Sequence, residues 1–296
     1  MTQVNSQTIK YSLAKDIGLL VKVKLSLTVL ISSVLAFVIF SSESFNLTSF
    51  ILLIVGGALV TFAANAMNQV LEREFDKLME RTHIRPLPQG RMNVSFAVLL
   101  SGVFCTLGVI ALTLVNAAAG LLAMISFLIY AFVYTPLKRY STVAIPVGAI
   151  PGALPILIGS VAAQGYISPE AFALFGIQYL WQFPHFWAIA WMGHDDYSKA
   201  GFKLIRDIDG RPDPMFGIYS AIYASLTVFF ILLYAYVSSI AISIVVVLIL
   251  LIGIYAFLGY KLYVKNDRAS ARTLFLYSLA YLPLVLLLFT VNKYFL

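Results

Sequence analysis

Charged residues are scarce in this sequence. They account for 11% of its 296 residues, whereas soluble globular domains carry roughly 25%. Hydrophobic residues reach 61%, and the mean hydropathy is +0.92. This composition excludes a soluble globular fold. The sequence therefore predicts a polytopic membrane protein.

Cysteine is nearly absent as well. Cys105 is the only cysteine and lies within an apolar run, which excludes a disulfide framework and favours a packing role. We also expect no cleavable leader, because the first apolar run, residues 17–41, is longer than the signal-peptide core of roughly 7–15 residues. We expect this run to be a retained first membrane helix.

Apolar runs divide the chain into spans of about 20 residues, the length that crosses a bilayer as a helix. The predicted fold class is all-α, a single transmembrane domain over residues 1–296. Residues 1–16 form a polar N-terminus, and residues 72–92 and 193–214 form two long cap loops. The nine predicted spans are residues 17–41, 48–71, 93–115, 117–135, 142–163, 169–192, 215–237, 239–261 and 272–292.

The nine predicted spans place nearly all basic residues on one side of the membrane. Nineteen of the 20 Lys and Arg residues, from Lys10 onward, fall on that side, and only Lys293 falls on the other. Among the acids, Glu43 and Glu170 lie opposite the rest. The positive-inside rule predicts a cytoplasmic N-terminus and an external C-terminus. The net charge of +7 therefore reflects topology, and nucleic acid is not an expected partner.

An acidic cluster ends the second span. Asn68, Glu72 and Asp76 are spaced by four, so they share one face of a helix. Side-chain oxygens grouped in this way suit Mg²⁺, which is typically held by one or two carboxylates and substrate phosphates. The alternative is a solvated helix end with ion pairs such as Glu74–Lys77, because surface ion pairs are common. The position of the cluster, at the end of a predicted membrane span, favours the metal site.

Acids and bases recur together at the predicted cytoplasmic face. Arg81 and Arg85 follow Asp76, and the pair Asp195–Asp196 precedes Lys199 and Lys203. Carboxylates for a metal ion, bases for phosphate oxygens and apolar helices below them indicate a binder of polyprenyl diphosphate. A transporter of haem or an ion is the alternative of another class, but transporter sites usually lie near the membrane midplane.

Glycine and proline concentrate in the fifth predicted span, between Pro146 and Gly159. Proline frees backbone carbonyls in a membrane helix, and glycine permits close approach. Close helix packing and a cavity widened for a bulky ligand are both compatible with this pattern.

Several motifs resemble a known family. Asn68-x-x-x-Glu72-x-x-x-Asp76, followed by Arg81-Thr-x-x-Arg85-Pro, is similar to the first signature of the UbiA-type intramembrane prenyltransferases, with Glu72 where aspartate is commoner. Trp181-Gln-Phe-Pro-His185, Asp196-Tyr197 and Tyr134-x-x-x-Lys138 resemble its haem-farnesylating branch, the protohaem IX farnesyltransferases. The resemblance implies a UbiA-like bundle of nine helices around a central cavity that opens toward the cytoplasm.

The resemblance also implies a reaction. Farnesyl diphosphate would alkylate a vinyl group of haem B, water would complete the new side chain, and haem O and diphosphate would leave. Mg²⁺ would be the cofactor. A haem A synthase or a terminal oxidase assembly would be a downstream partner. A prokaryotic plasma (inner) membrane is the implied location. The alternative acceptor within the family is an aromatic or quinone precursor.

Roles follow from the same resemblance. Asn68, Glu72, Asp76 and Asp196 would be catalytic, and with Asp195 they would hold metal. The diphosphate would be bound by five bases: Lys24, Arg81, Arg85, Lys138 and Lys203. Haem would contact His185, with Trp181 and Gln182 beside it. For His185, a buried packing histidine is the competing interpretation.

Overall fold

The computed structural model describes residues 11–41 and 45–296. The predictions for Lys10, Glu43 and residues 1–10 of the N-terminus lie outside the described residues. The described chain consists of helices joined by turns and loops, with one short hairpin. Its long helices are α2 (Val23–Phe40), α3 (Leu47–Asp76), α4 (Val94–Val115), α5 (Ala117–Leu128) continued through a π-helix to the single turn α6 (Thr135–Leu137), α7 (Ala144–Gln164), α8 (Pro169–Met192), α10 (Met215–Val237), α11 (Ile242–Lys265) and α12 (Arg268–Phe295).

Within the described residues, eight of these helices are long and apolar enough to cross a membrane. The ninth, α8, is 24 residues long but carries Gln178, Gln182 and His185, which lower its hydropathy. It packs against α7, α10 and α12, so it lies inside the bundle. The all-α, multi-pass class predicted from the sequence is confirmed, and the count of nine spans is approximate.

Helix α3 is longer than a membrane requires. Its 30 residues extend for about 45 Å, whereas the hydrocarbon core is roughly 30 Å thick. The helix begins at Leu47, so its first 20 residues suffice to cross the core. Asn68, Glu72 and Asp76 therefore lie on the last turns, at the membrane surface.

Close contact between α3 and α4 fixes the position of that extension. A Cβ added at Gly56 would lie 2.8 Å from Leu112 Cγ, and one at Gly108 would lie 2.8 Å from Gly56 O. Only glycine permits this separation, as in other small-residue helix interfaces in membranes. Ser101 Oγ also donates to Ala63 O at 2.8 Å.

The first predicted span is broken in two. A short helix, α1 (Leu13–Leu20), precedes α2, and Lys22 between them has a left-handed backbone with φ 49°. Gln69 of α3 donates from Nε2 to Leu19 O at 2.8 Å and to Leu20 O at 2.7 Å, which satisfies carbonyls at the break. The break turns the Lys22 side chain toward α3.

The two predicted cap loops lie at the same end of the bundle. The 193–214 segment contains α9 (His194–Lys199) and a hairpin of β1 (Asp207–Ile208) and β2 (Arg211–Pro212). The other segment is tied to α1 by Arg91, whose Nη2 lies 3.0 Å from Asp16 Oδ1 in a largely buried ion pair. Phe75 and Phe202 connect the two segments, with ring centroids 5.8 Å apart.

Candidate active site

A large cavity occupies the centre of the bundle. Its volume is about 760 Å³, enough for a drug-sized or larger ligand. The deep walls are apolar and come from α2, α3, α7, α8 and α12, with Val29, Val60, Ile158 and Leu282 among them. The charged residues of its lining are concentrated at the end that carries the cap segments. The cavity is therefore amphipathic along its length.

The three acceptors predicted on α3 line this cavity together and are buried. Each is already engaged by a base. Arg85 Nη1 donates to both carboxylate oxygens of Asp76, at 2.8 and 2.7 Å, and Lys138 Nζ forms an ion pair with Glu72 Oε1. The predicted grouping of Asn68, Glu72 and Asp76 with Arg85 and Lys138 is present in the structure.

Asn68 is fixed from two sides. Lys22 Nζ donates to Asn68 Oδ1 at 3.1 Å, and Asn68 Nδ2 donates to Thr135 Oγ1 at 3.0 Å. Burial, together with the nearby positive charge of Arg85, lowers the pKa of Lys22 to about 7. Lys22 therefore loses its proton more readily than a solvent-exposed lysine.

Of the other predicted bases and acids, one lines the cavity and four do not. Arg81 lines the cavity and donates from Nη2 to Tyr197 Oη at 3.0 Å. The exposed side chains of Lys24 and Lys203 do not line it, nor do Asp195 and Asp196. Within residues 11–41 and 45–296, no group of three or more His, Cys, Asp or Glu side chains is placed to hold a metal ion.

Helix α5 changes to a π-helix, Ile129–Tyr134, where it meets the polar end of the cavity. Such π-segments are frequent at functional sites. The widened turn places Tyr130 and Tyr134 in the cavity wall and leaves Tyr130 O to accept from Thr135 Oγ1 at 2.8 Å. Thr135 thus connects this segment to Asn68.

Side chains donate hydrogen bonds to three backbone carbonyls of the proline-containing helix α7. Ser126 Oγ donates to Pro151 O at 3.3 Å, the carbonyl that Pro155 cannot engage. Gln178 Nε2 donates to Gly152 O at 2.7 Å, and Gln182 Nε2 donates to Ala149 O at 2.9 Å. A Cβ at Gly152 would overlap Gln182 Oε1, so glycine is required there. Both glutamines line the cavity, and Gln178 Oε1 has no partner among the described residues.

His185 lies in the same wall, toward α12. Its Nδ1 is 2.7 Å from Ser278 Oγ, and its ring stacks on Trp181 with centroids 4.9 Å apart and an interplanar angle of 24°. Trp181 Nε1 donates to Ser278 O at 2.8 Å. The three predicted haem residues, Trp181, Gln182 and His185, therefore line one cavity with the acidic cluster.

Sequence reasoning missed four residues of this site: Lys22, Thr135, Gln178 and Ser278. The signal for Lys22 was present, since it interrupts an apolar run two residues before Lys24. Only the break between α1 and α2 decides which lysine reaches Asn68. The other three are common polar residues within apolar spans, and their partners lie 26 to 93 residues away.

Sequence comparison identifies relatives along nearly the whole chain. Residues 29–280 match the UbiA prenyltransferase family. A protoheme IX farnesyltransferase of Flavobacterium johnsoniae is 36% identical over 296 residues, 98% of either chain. The mitochondrial protoheme IX farnesyltransferase of Homo sapiens is 36% identical over 285 residues, which cover 96% of this chain and 63% of the human one.

Solved structures agree at the level of the fold. A UbiA homologue from Archaeoglobus fulgidus bound to DMAPP and Mg²⁺ superposes with a TM-score of 0.69 at 16% identity, over 92% of this chain and 99% of its own. A structure described as digeranylgeranylglyceryl phosphate synthase gives a TM-score of 0.76 at 19% identity, over 96% of this chain and 99% of its own. The family match over residues 29–280, which is most of the chain, shows that this protein belongs to the UbiA prenyltransferase family.

Proposed function

We propose that this protein transfers a farnesyl group from farnesyl diphosphate to a vinyl group of haem B. Diphosphate leaves, water adds to the alkylated vinyl group, and the product is haem O. The observation that carries the proposal is chain-long similarity to protoheme IX farnesyltransferases, 36% identity over 98% of this chain in one case. The cavity suits both substrates, because it is polar at one end and apolar below.

The polar end fits a diphosphate with a divalent cation. Asn68, Glu72 and Asp76 offer hard oxygen ligands from successive turns of one helix, and Mg²⁺ needs only one or two protein carboxylates when phosphates complete its shell. Glu72 Oε1 is buried and pairs with Lys138 Nζ, so a cation would bind there in place of that ammonium group. An Archaeoglobus fulgidus homologue of the same fold was solved with DMAPP and Mg²⁺, which supports this assignment. When bound, Mg²⁺ would neutralise the charge that develops on the departing diphosphate.

Lysine and arginine side chains of this protein would hold the diphosphate oxygens. Arg81, Arg85, Lys138 and Lys22 line the cavity around the acidic residues. When the two carboxylates bind the metal, Asp76 would release Arg85 and Glu72 would release Lys138. One guanidinium and one ammonium group would then be free to bind phosphate oxygens. Positive charge placed beforehand around a leaving group lowers the barrier to its departure.

The second acidic site stays a prediction. Asp195 and Asp196 follow the end of α8 but do not line the cavity, and the Asp195 side chain is 89% exposed. Lys24 and Lys203 are likewise predictions from the sequence alone. We therefore assign the metal–diphosphate site to the α3 cluster.

The apolar part of the cavity would hold the prenyl chain and the porphyrin. Trp181 and Phe186 offer flat surfaces, and His185 offers a nitrogen to the haem iron. The bundle would shield the allylic cation from water until the vinyl carbon attacks it. An aromatic or quinone precursor, the alternative acceptor, has no need of a histidine ligand. The acidic cluster at one face argues against a transporter, whose site would lie near the midplane.

Location and partners follow from the same proposal. With bases concentrated at the capped end, we place that end in the cytoplasm and the C-terminus outside, in a prokaryotic plasma membrane. A haem A synthase or a terminal oxidase under assembly would receive the product.

The experiment is reconstitution with defined substrates. Purified protein receives haem B, farnesyl diphosphate and Mg²⁺, and extracted haem is analysed by mass spectrometry. We expect a mass gain of one farnesyl group plus water, lost with EDTA and restored by Mg²⁺. Unmodified haem, with prenylation of an aromatic acid supplied in parallel, would contradict the proposal.

A further inference from the structure

A serine on α12 accounts for the orientation of His185. Ser278 is fully buried, and its Oγ lies 2.6 Å from Phe275 O and 2.7 Å from His185 Nδ1. The backbone oxygen of Ser278 also accepts a hydrogen bond from Trp181 Nε1, at 2.8 Å. One residue thus contacts two of the three side chains predicted to meet haem.

The protons at this contact can be assigned from elementary valence. A carbonyl oxygen cannot donate, so the short Phe275 O–Ser278 Oγ contact requires the single hydroxyl proton of Ser278. The hydroxyl has no second proton to give to His185. Nδ1 must therefore carry the imidazole proton and donate it to Ser278 Oγ. In a neutral imidazole this leaves Nε2 with a free lone pair.

We propose that Ser278 is a positioning residue, which holds His185 in the tautomer whose Nε2 coordinates the iron of the haem substrate. The proposal rests on the proposed function, because it takes haem B as the ligand. Iron-binding histidines generally donate their other N–H to an acceptor, which fixes the ring and raises its basicity. Ser278 is the acceptor here.

The surroundings hold the ring in one plane. Trp181 stacks on one side of His185, and Phe275 lies with its ring centroid 5.3 Å from that of His185. Tyr255 Oη donates to Trp181 O at 3.0 Å and anchors this turn of α8 to α11. Within the described residues, Nε2 of His185 has no hydrogen-bond partner, which leaves it to a ligand in the cavity.

The test is titration of the purified protein with ferric haem B, followed by the Soret spectrum, which reports the iron ligand. Wild type should show a histidine-ligated spectrum that His185→Ala abolishes. Ser278→Ala removes one oxygen atom and leaves Nδ1 without an acceptor. It should weaken haem binding by about 10- to 100-fold and alter the Soret band. Ser278→Thr, which keeps the hydroxyl, should restore both.

Ser220 provides a matched control. It is also fully buried, its Oγ donates to Phe216 O at 2.7 Å, and it does not line the cavity. Ser220→Ala should therefore leave the haem spectrum and affinity unchanged. Equal spectral changes in Ser220→Ala and Ser278→Ala would reduce Ser278 to a packing role and overturn the proposal.

Product analysis separates this inference from the proposed function. If wild type farnesylates haem but Ser278→Ala binds haem with wild-type affinity and spectrum, only the positioning role fails. If wild type binds haem through His185 but produces no farnesylated haem, the proposed function is contradicted and the positioning role of Ser278 stands.

Discussion

At the scale of single residues, the bases at the cavity mouth are held by acceptors of the same protein. Arg85 contacts Asp76, Lys138 contacts Glu72, and Lys22 contacts Asn68. A cation alone or a diphosphate alone would strand one member of each pair in a buried environment, which is costly. A magnesium–diphosphate complex supplies both signs of charge at once. The pairing therefore favours joint binding of metal and diphosphate.

Substitution of Asp76 tests the acidic cluster. Asp76→Asn keeps the shape of the side chain but removes the charge that we assign to Mg²⁺, and its carboxylate is fully buried. We expect farnesyl transfer to fall by about 100-fold or more, measured as kcat/KM. Glu74→Gln is the control, because Glu74 is 58% exposed and pairs with Arg73 and Lys77 at the surface. Undiminished turnover by Asp76→Asn would remove the metal assignment.

Two lysines near the first helix break give a second pair of variants. Lys22 lines the cavity, whereas Lys24 is exposed and does not. A charge-assisted contact contributes about 1.5–3 kcal/mol, so Lys22→Met should raise the KM for farnesyl diphosphate by about tenfold or more. Lys24→Met should leave it unchanged. A larger effect at Lys24 would restore the sequence prediction and contradict the placement of Lys22.

At the scale of helices, the sequence predicted most elements but not their interruptions. The span predicted over residues 215–237 coincides with α10, since its apolar run has polar residues at both ends. The break at Lys22 and the π-helix at Ile129–Tyr134 contain neither glycine nor proline, and the local signals near them, Lys22 itself and Pro136, do not predict the backbone conformation. Both are stabilised by distant side chains, Gln69 at the break and Asn68 through Thr135. Tertiary contacts of this kind cannot be inferred from one sequence.

Helix α7 offers a test of its glycine positions. Gly152→Ala would force Gln182 away from Ala149 O and leave buried polar groups unpaired, at a cost of about 1–3 kcal/mol. We expect a lower melting temperature in detergent and weaker haem binding. Gly102→Ala on α4 is the control, because a Cβ there has no neighbour within 4 Å and alanine favours a helix. Equal melting temperatures for the two variants would show that Gly152 is not needed for close contact.

At the scale of the whole molecule, the split of charges predicted where the site would lie. The basic segments after α3, α5 and α8 converge at one end of the bundle, around Asn68, Glu72 and Asp76. Hydropathy and charge are summed over many residues, so they predict spans and sides well. The pairing of particular bases with particular acids depends on helix rotation and on the break at Lys22. Arg85 and Lys138 therefore line the cavity beside the acids, whereas Lys24 is exposed outside it, and the diphosphate-binding role of all three stays a prediction.

Orientation in the membrane can be measured with single cysteines. Cys105 is buried and can be replaced by serine to give a cysteine-free background. Lys199→Cys then reports the capped end, and Ser239→Cys reports the opposite end, between α10 and α11; both positions are exposed. Because basic loops stay in the cytoplasm, a membrane-impermeant maleimide should label Ser239→Cys in intact cells. It should label Lys199→Cys only after the cells are opened. The reverse pattern would place the diphosphate site outside the cell, away from a cytoplasmic supply of farnesyl diphosphate, and would contradict the proposed topology.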